Sequence, residues 1–224
     1  MVSTMRRVFM TCLLFASVSA QTANLGVFAN AGDVGAPALA GSTVFDPATK
    51  QYRIAGAGIN MWAKQDQFQY VWKEMTGDFS VAATLQFVGQ GAEHRKGGIM
   101  VRQSLDTDAT YADVMIHGNG MPSLQWRPRK GEDTNTFDLP IEGAGTFSIR
   151  FVRTGVKMFM YAGRNGAQPK ELVHTEVAFQ GPVLVGLAVC SHDPAVKDTV
   201  VFSNVSLEAA APAGPVRPPA GPAK

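Results

Sequence analysis

Six side chains in three successive segments have the chemistry to bind a polar ligand. Segments 98–104, 111–117 and 122–127 each alternate apolar with polar residues, so each would present one polar face as a β-strand. If the three strands are neighbours, these polar side chains share one sheet face. Guanidinium, amide and carboxylate groups beside an aromatic ring suit hydroxyl-rich ligands. The six candidates are Arg102, Tyr111, Asp113, His117, Gln125 and Arg127.

The same pattern also fits an antiparallel sheet with one solvated face and no ligand, which is the ordinary condition of such sheets. Asp113 would then form a cross-strand ion pair with Arg102 or Arg127. The sequence leaves both interpretations open.

Aromatic residues offer a further candidate surface. Phe68, Tyr70 and Trp72 would share one face of a strand and could stack on sugar rings, but burial in a core is the favoured interpretation. Trp62 differs, because it follows the Gly-rich segment 56–58 in a loop. Binding residues concentrate in loops, so Trp62 joins the ligand-binding candidates.

Period-two alternation extends through the chain. Phe79 to Phe87 and Phe147 to Phe151 alternate apolar with mostly polar residues, and no segment keeps a helical period except a short turn near 105–110. Gly, Asn and Pro turns separate the segments. Many short strands in one domain predict an all-β fold, an antiparallel β-sandwich. Further strands are predicted at 51–55, 68–72, 156–162, 172–179, 183–191 and 198–207.

The two ends of the chain differ from its middle. Residues 1–20 combine Arg6 and Arg7, a short apolar run and small residues before Gln21, which is typical of a secretory signal peptide. The domains predicted are therefore a signal peptide (1–20), a β-sandwich (21–207) and a Pro/Ala-rich disordered tail (208–224). A secreted or periplasmic location follows, without a membrane span.

Loss of the signal peptide also changes the net charge. Removing Arg6 and Arg7 lowers Lys plus Arg from 20 to 18, which equals the 18 Asp plus Glu. The cluster of Arg127, Arg129 and Lys130 is followed, after one glycine, by Glu132 and Asp133. A nucleic-acid partner is therefore not expected.

Several motifs resemble the concanavalin A-like lectin and glucanase (LamG-like jelly-roll) superfamily, in particular a largely uncharacterised group of secreted bacterial modules. The resemblance covers about residues 24–207. The motifs that carry it are Gly56 to Trp62, Asp66 to Trp72, Gly77 to Phe79, His94 to Leu105, Tyr111 to Arg127, Val185 to Asp193 and Phe202 to Val205. The resemblance implies an antiparallel jelly-roll sandwich. Modules of this group also occur beside Tol-type propeller domains and are often labelled as biopolymer-transport proteins. This chain has no room for a propeller, so we take that label to belong to the neighbouring domains.

The sequence has no recognisable catalytic pattern. Glycosidases of the concanavalin A class carry carboxylates at alternate positions of one strand, because two must flank the bond that is cleaved. No such run occurs here, and there is no Gly-x-Ser-x-Gly motif. Cys190 has His192 two residues away but lies in an apolar strand, where burial is expected.

Metal-binding patterns are equally thin. The four histidines lack the two-histidine spacing that is typical of zinc. Asp106 and Asp108, with Asp113 beyond them, could bind calcium, although a simple Asp-rich turn is favoured. We expect no cofactor, with calcium as the alternative.

Together these features predict a secreted or periplasmic, non-catalytic β-sandwich that recognises a carbohydrate or cell-envelope polymer. Two alternatives stay open: a glycan-active hydrolase or lyase with an unfamiliar site, and a scaffold module with a protein partner. Convergent carboxylates in a deep groove would favour the enzyme. An exposed aromatic ring beside amides would favour the binding module, and a flat apolar patch would favour the scaffold.

Overall fold

The structure, a computed structural model, describes residues 24–141 and 143–210. The predicted signal peptide and residues 211–224 of the predicted tail lie outside this range. Within it no helix has the length and hydropathy needed to cross a membrane. The described residues form sixteen strands: β1 (Asn30–Val34), β2 (Ser42–Asp46), β3 (Gln51–Gly58), β4 (Met61–Trp62), β5 (Gln65–Asp66), β6 (Phe68–Met75), β7 (Phe79–Val88), β8 (Lys96–Arg102), β9 (Tyr111–His117), β10 (Pro122–Arg127), β11 (Asn135–Asp138), β12 (Phe147–Thr154), β13 (Lys157–Arg164), β14 (Lys170–Glu176), β15 (Val183–Cys190) and β16 (Asp193–Ala209).

Fourteen of these strands form two seven-stranded antiparallel sheets. The front sheet has the order β1-β6-β15-β8-β9-β10-β11, and the back sheet has the order β14-β13-β12-β7-β16-β3-β2. One continuous set of buried apolar side chains joins them. The prediction of an all-β antiparallel sandwich is therefore confirmed.

Alternation along the strands fills this core as predicted. On β7 and β12, the register places Phe147 opposite Leu85 and Phe151 opposite Val81, and all four side chains are at most 2% exposed. Phe87 is only half-buried at the end of β7. The Arg95 guanidinium covers its ring at 4.6 Å from the centroid.

Predicted and observed strands agree best where one face is buried. Segments 111–117 and 122–127 match β9 and β10 residue for residue. Alternation does not indicate β11, because all four of its residues are exposed and no buried set marks the period. The short strands β1, β2, β4 and β5 were missed as well.

The predicted short turn near 105–110 is present as a single hydrogen-bonded turn, in which the Ala109 N–H donates to the Asp106 carbonyl at 3.0 Å. This segment is a loop whose carbonyl groups accept hydrogen bonds from two arginines, at Asp106 from Arg102 and at Ala109 from Arg127. The turn does not continue into a helix, and the two arginines bind the segment through its carbonyl groups.

The connection between β3 in the back sheet and β6 in the front sheet positions the site. Residues 59–67, here called the covering hairpin, contain β4 and β5 and fold over the outer face of the front sheet. Gly58 opens this hairpin with φ 124°, and a Cβ there would lie 2.0 Å from the Gln67 carbonyl oxygen. Only glycine fits this close approach.

Under the covering hairpin lies a second apolar cluster, separate from the core between the sheets. Met61 packs there with Phe68 and Tyr70 of β6, and the half-buried Trp72 stacks on Tyr70 with ring centroids 5.3 Å apart. The expected burial of these aromatic residues is thus confirmed for Phe68 and Tyr70. They bury against the hairpin rather than between the two sheets.

Candidate functional site

The three segments that carry the polar candidates are neighbouring strands. β8, β9 and β10 are adjacent in the front sheet, with Arg102 opposite Tyr111 and Tyr111 opposite Arg127. One step along the sheet, Asp113 lies opposite Gln125. Because alternation sends Val114 and Leu124 into the core, these polar side chains point to the outer face, as the sequence indicates.

This outer face is not solvated. Arg102, Tyr111, Asp113 and Arg127 are each 0% exposed, because the covering hairpin lies over them. The interpretation of a solvent-facing sheet is therefore wrong.

The ion pairing on this face also differs from the expected Asp113 pair. Asp66 of the covering hairpin forms ion pairs with both arginines. Two nitrogens of Arg127 donate hydrogen bonds to the two carboxylate oxygens of Asp66 at 2.9 and 2.8 Å. Arg102 donates a third hydrogen bond to Asp66 Oδ2 at 3.3 Å. All three side chains are 0% exposed. A buried charge needs such compensation, and the planar guanidinium of Arg127 matches the carboxylate bidentately.

Both arginines also donate hydrogen bonds to carbonyl groups of the protein. Arg127 also donates to the carbonyl oxygens of Ala63 at 2.9 Å and Glu132 at 3.0 Å, and Arg102 donates to that of Ser104 at 2.6 Å. The two guanidinium groups therefore tie the covering hairpin to the loops that follow β8 and β10. Neither group lines either of the two cavities described below.

A cavity of about 260 Å³ opens where the hairpin ends and the polar face continues. Lys96, His117 and Gln125 form its buried floor, Asn60, Trp62, Met121 and His192 are half-buried, and His94 and Asp138 lie exposed at its rim. We call this cavity the lysine pocket. Of the seven predicted ligand-binding residues it brings together Trp62, His117 and Gln125. The other four, Arg102, Tyr111, Asp113 and Arg127, lie beneath the hairpin.

Lys96 lies at the base of the lysine pocket with only 3% of its surface exposed. Its ammonium donates to Asn60 Oδ1 at 2.8 Å and to the Met61 carbonyl at 3.1 Å, and it lies 5.5 Å from the centre of the Trp62 ring. Among the described residues no carboxylate comes within 4.0 Å of it. Burial therefore lowers the pKa of Lys96.

Asp113 and Gln125 form a cross-strand pair of acceptors behind this lysine. Within the described structure both Asp113 carboxyl oxygens and Gln125 Oε1 are buried without a hydrogen-bond partner. Burial raises the pKa of Asp113 well above its ordinary value, so its neutral form is favoured. A neutral carboxyl group carries one O–H, the donor that the opposite amide oxygen lacks. Gln125 then keeps its N–H donors for the pocket.

Three histidines surround the lysine pocket. His94 and His117 face each other through their Nδ1 atoms at 3.4 Å, and His192 lies 5.7 Å from His94 between ring centroids. One of these two Nδ1 atoms must accept the hydrogen bond that the other donates. The two Nδ1 atoms therefore cannot both carry a proton. Burial, together with the Lys96 charge and the other two histidines, lowers the pKa of His117 to about 3.

We expect His117 to make the protein sensitive to mild acid. The pKa of His117 is about 3 in the folded protein, below the ordinary histidine pKa of 6.5. Between these two pH values His117 is protonated in the unfolded chain but stays neutral in the folded protein. The titration of His117 therefore leaves the free energy of unfolding unchanged above pH 6.5 and lowers it as the pH falls toward 3. From these pKa values the loss at pH 5 is about 2 kcal/mol relative to pH 7.5.

Urea unfolding of wild type and His117→Gln at both pH values measures this effect. The stability difference between the two proteins should shift by about 2 kcal/mol in favour of the variant at pH 5. His174→Gln, which changes an exposed histidine of β14, is the control. A difference that is the same at both pH values would contradict a neutral buried His117.

A second cavity of about 660 Å³ lies on the other side of the covering hairpin. Asn60 and Trp62 line both cavities, and Gly35, Ile59, Lys64 and Thr107 complete much of the second. Trp62 therefore forms a half-buried wall between the two cavities. A chain-like ligand could contact both sides of it.

The calcium hypothesis finds no convergent ligands in the part of the chain that the structure describes. No group of three or more His, Cys, Asp or Glu side chains there is arranged to hold a metal ion. Asp106 and Asp108 both contact the Lys130 ammonium, and Asp113 lies under the hairpin.

Cys190 has no features of a nucleophile. Its side chain is 0% exposed in the cluster beneath the hairpin, and burial raises the pKa of its thiol to about 11.

Among the described lining residues of the lysine pocket, Asp138 is the single carboxylate.

Sequence reasoning missed Lys96, although a signal for it exists. Lys96, Gly98, Met100 and Arg102 share one face by alternation, but a strand that begins at residue 98 leaves Lys96 out. Lys96 pairs directly with His117 across β8 and β9. His94 and His192 stand in turns and Asn60 in the hairpin, where period-two alternation predicts nothing.

Comparison with known proteins relates the chain by fold alone. No protein-family model and no curated protein matches it. Solved structures do match. A functionally unknown protein from Saccharomyces cerevisiae has a TM-score of 0.61 and 18% identity, over 76% of this chain and 93% of that one.

Carbohydrate-binding proteins also share the fold. The carbohydrate-binding module CBM66 from Bacillus subtilis matches with a TM-score of 0.53 and 16% identity, over 82% of this chain and 98% of that one. The lectin UEA-II complexed with galactose matches with a TM-score of 0.52 and 5% identity, over 80% and 97%. The sandwich thus resembles concanavalin A-like proteins, as the sequence motifs imply. These matches lend no support to a Tol-type label.

Proposed function

We propose that the protein is a secreted or periplasmic, non-catalytic module that binds a carbohydrate or cell-envelope polymer in the lysine pocket. The observation that carries this proposal is the convergence of the Trp62 ring with the Gln125 and Asn60 amides at one cavity. An aromatic face and planar amides are the groups that a sugar ring and its hydroxyls require. Structural neighbours that bind carbohydrates on the same fold support this choice of ligand.

The rigidity of the site also supports a binding role. Lys96 and Gln125 stand on strands of the front sheet that are paired on both sides, and the Asp66 ion pairs hold the hairpin that carries Trp62. Binding groups on such a pre-organised frame lose little conformational entropy when a ligand arrives. The signal peptide predicted at residues 1–20 would bring the module to cell-envelope polymers.

Trp62→Ala and Gln125→Ala should weaken binding without unfolding the sandwich. Loss of one hydrogen bond from Gln125 should raise Kd about 2- to 10-fold. Loss of the Trp62 ring should raise it about tenfold or more, as for a central aromatic contact. The measurement is a glycan-array screen of residues 21–224, with and without calcium, followed by calorimetric titration of each variant with the glycans that bind.

Matched controls separate the pocket from other surfaces. Trp72→Ala removes a half-buried tryptophan that lies outside the lysine pocket, and Gln86→Ala removes an exposed glutamine of the back sheet. Both should bind like wild type. Unchanged binding by Trp62→Ala and Gln125→Ala would contradict the pocket assignment. Product release from a bound glycan would contradict a non-catalytic role, and capture of only a protein partner would favour the scaffold alternative.

A further inference from the structure

The donors and acceptors of the lysine pocket are strongly unbalanced. Lys96 Nζ has three N–H groups, and two of them serve Asn60 Oδ1 and the Met61 carbonyl. The third has no acceptor among the described residues. Asn60 Oδ1 already accepts from Lys96 and from the Met61 N–H at 2.9 Å, so the Asn60 amide nitrogen is the part left to contact a ligand.

Gln125 adds to this excess of donors. Its Oε1 is buried away from solvent beside Asp113, which leaves the amide nitrogen for the pocket. His94 and His192 contribute further ring nitrogens, whereas both His117 nitrogens are engaged by His94 and Ser123. Asp138 at the rim is the only carboxylate among the described lining residues. A ligand rich in acceptors, with at least one negative charge, fits this set of groups.

We propose that the lysine pocket selects saccharides that carry a carboxylate, as uronic acids do, with Lys96 as the counter-ion of that group. This inference rests on the proposed function and narrows its ligand class. A sugar carboxylate would accept one hydrogen bond from the free Lys96 N–H and another from the Asn60 or Gln125 amide. The sugar ring would stack on the Trp62 ring, whose centre lies 5.5 Å from Lys96 Nζ. At the rim, the Asp138 carboxylate would accept a hydrogen bond from a sugar hydroxyl.

Burial makes this counter-ion role specific to Lys96. Its ammonium is 3% exposed, and no carboxylate of the described residues lies within 4.0 Å of it. The paired residue on β9 is His117, which carries no negative charge, and burial favours the neutral form of the more distant Asp113. Asp66 is engaged by Arg102 and Arg127. A desolvated charge without a partner is costly, and an incoming carboxylate removes that cost. A neutral sugar leaves it in place.

The test uses the mature chain, residues 21–224, and an array that pairs each uronic-acid oligosaccharide with its carboxyl-reduced counterpart. The two members of a pair differ only in a carboxylate or a hydroxymethyl group. We expect wild-type protein to bind one or more acidic members, and to bind the reduced member at least about tenfold more weakly, as for a lost charge-assisted hydrogen bond. This comparison needs no change to the protein.

Substitution of the lysine supplies the second arm. Lys96→Met keeps the apolar stem and removes the charge, so it should bind the acidic member no better than the reduced one. Lys96→Arg keeps the charge and should retain the preference for the acid. Exposed Lys157→Met, at the start of β13 in the back sheet, is the matched control and should behave as wild type. Thermal unfolding of each variant verifies that it is folded.

The outcomes distinguish this inference from the proposed function. Binding of neutral glycans with no preference for acids would overturn the inference and leave the proposed function standing. Retention of the acid preference by folded Lys96→Met would also overturn it. Absence of binding to any glycan on the array would overturn both.

Discussion

Asp66→Asn should destabilise the protein by about 3–5 kcal/mol, because it leaves two fully buried guanidinium groups without a counter-charge. Arg102 and Arg127 are both 0% exposed, and Asp66 is the carboxylate that both contact. The substitution keeps the size of the side chain, so the loss reports charge and hydrogen bonding rather than a cavity. Denaturant unfolding measures it.

The same variant should loosen the covering hairpin before the sandwich unfolds. Met61, Trp62 and Ala63 depend on the contacts around Asp66, so hydrogen exchange at residues 59–67 should accelerate more than exchange in β7 or β12. Weaker glycan binding should follow, since Trp62 is part of this hairpin.

Two comparisons make the Asp66 prediction specific. Arg102→Met leaves the bidentate pair of Asp66 with Arg127 in place and should cost less than Asp66→Asn. Asp133→Asn changes a carboxylate that is 73% exposed and 3.9 Å from Lys64, so it should cost about 0–1 kcal/mol. If Asp66→Asn lies within 1 kcal/mol of wild type, the triad does not hold the hairpin.

Phe147→Ala should also cost about 3–5 kcal/mol, because it empties a fully packed position between the two sheets. Phe147 is 2% exposed and lies opposite Leu85 on β7, within the main core. Its removal loses the transfer free energy of the ring and leaves a cavity that the two stiff sheets can collapse only in part. Chemical or thermal unfolding measures the change.

Phe137→Ala is the matched control for this substitution. Phe137 stands on the edge strand β11 and is 47% exposed, so its loss should change stability by less than about 1 kcal/mol. Equal effects of the two substitutions would contradict the assignment of Phe147 to the core.

Local pattern alone was sufficient to predict β9 and β10. Alternation in Ala112, Val114 and Ile116 is a steric property of the extended chain, so the sequence states which residues share a face. The same reasoning indicates that Arg102, Tyr111, Asp113, His117, Gln125 and Arg127 share the opposite face of three adjacent strands. The all-β sandwich follows from many such segments.

What covers that face could not be predicted from alternation. Asp66 is 36 residues from Arg102 and 61 from Arg127, and it reaches them only because the chain crosses between sheets over the front one. This crossing turns a solvent-facing polar surface into a buried ion-pair network. Four of the seven predicted binding residues were thereby placed beneath the hairpin, while Trp62, His117 and Gln125 line the cavity beside it.

The residues that complete the lysine pocket come from the turns and from one strand end. Lys96 begins β8, while His94, His192 and Asn60 lie in segments with irregular backbone. Period-two alternation is a local steric property, so the sequence by itself determined the strands and the two faces of each. Burial depends on which distant segment lies above a face. Only the tertiary structure could therefore decide which polar side chains hold the fold together and which remain available to a ligand.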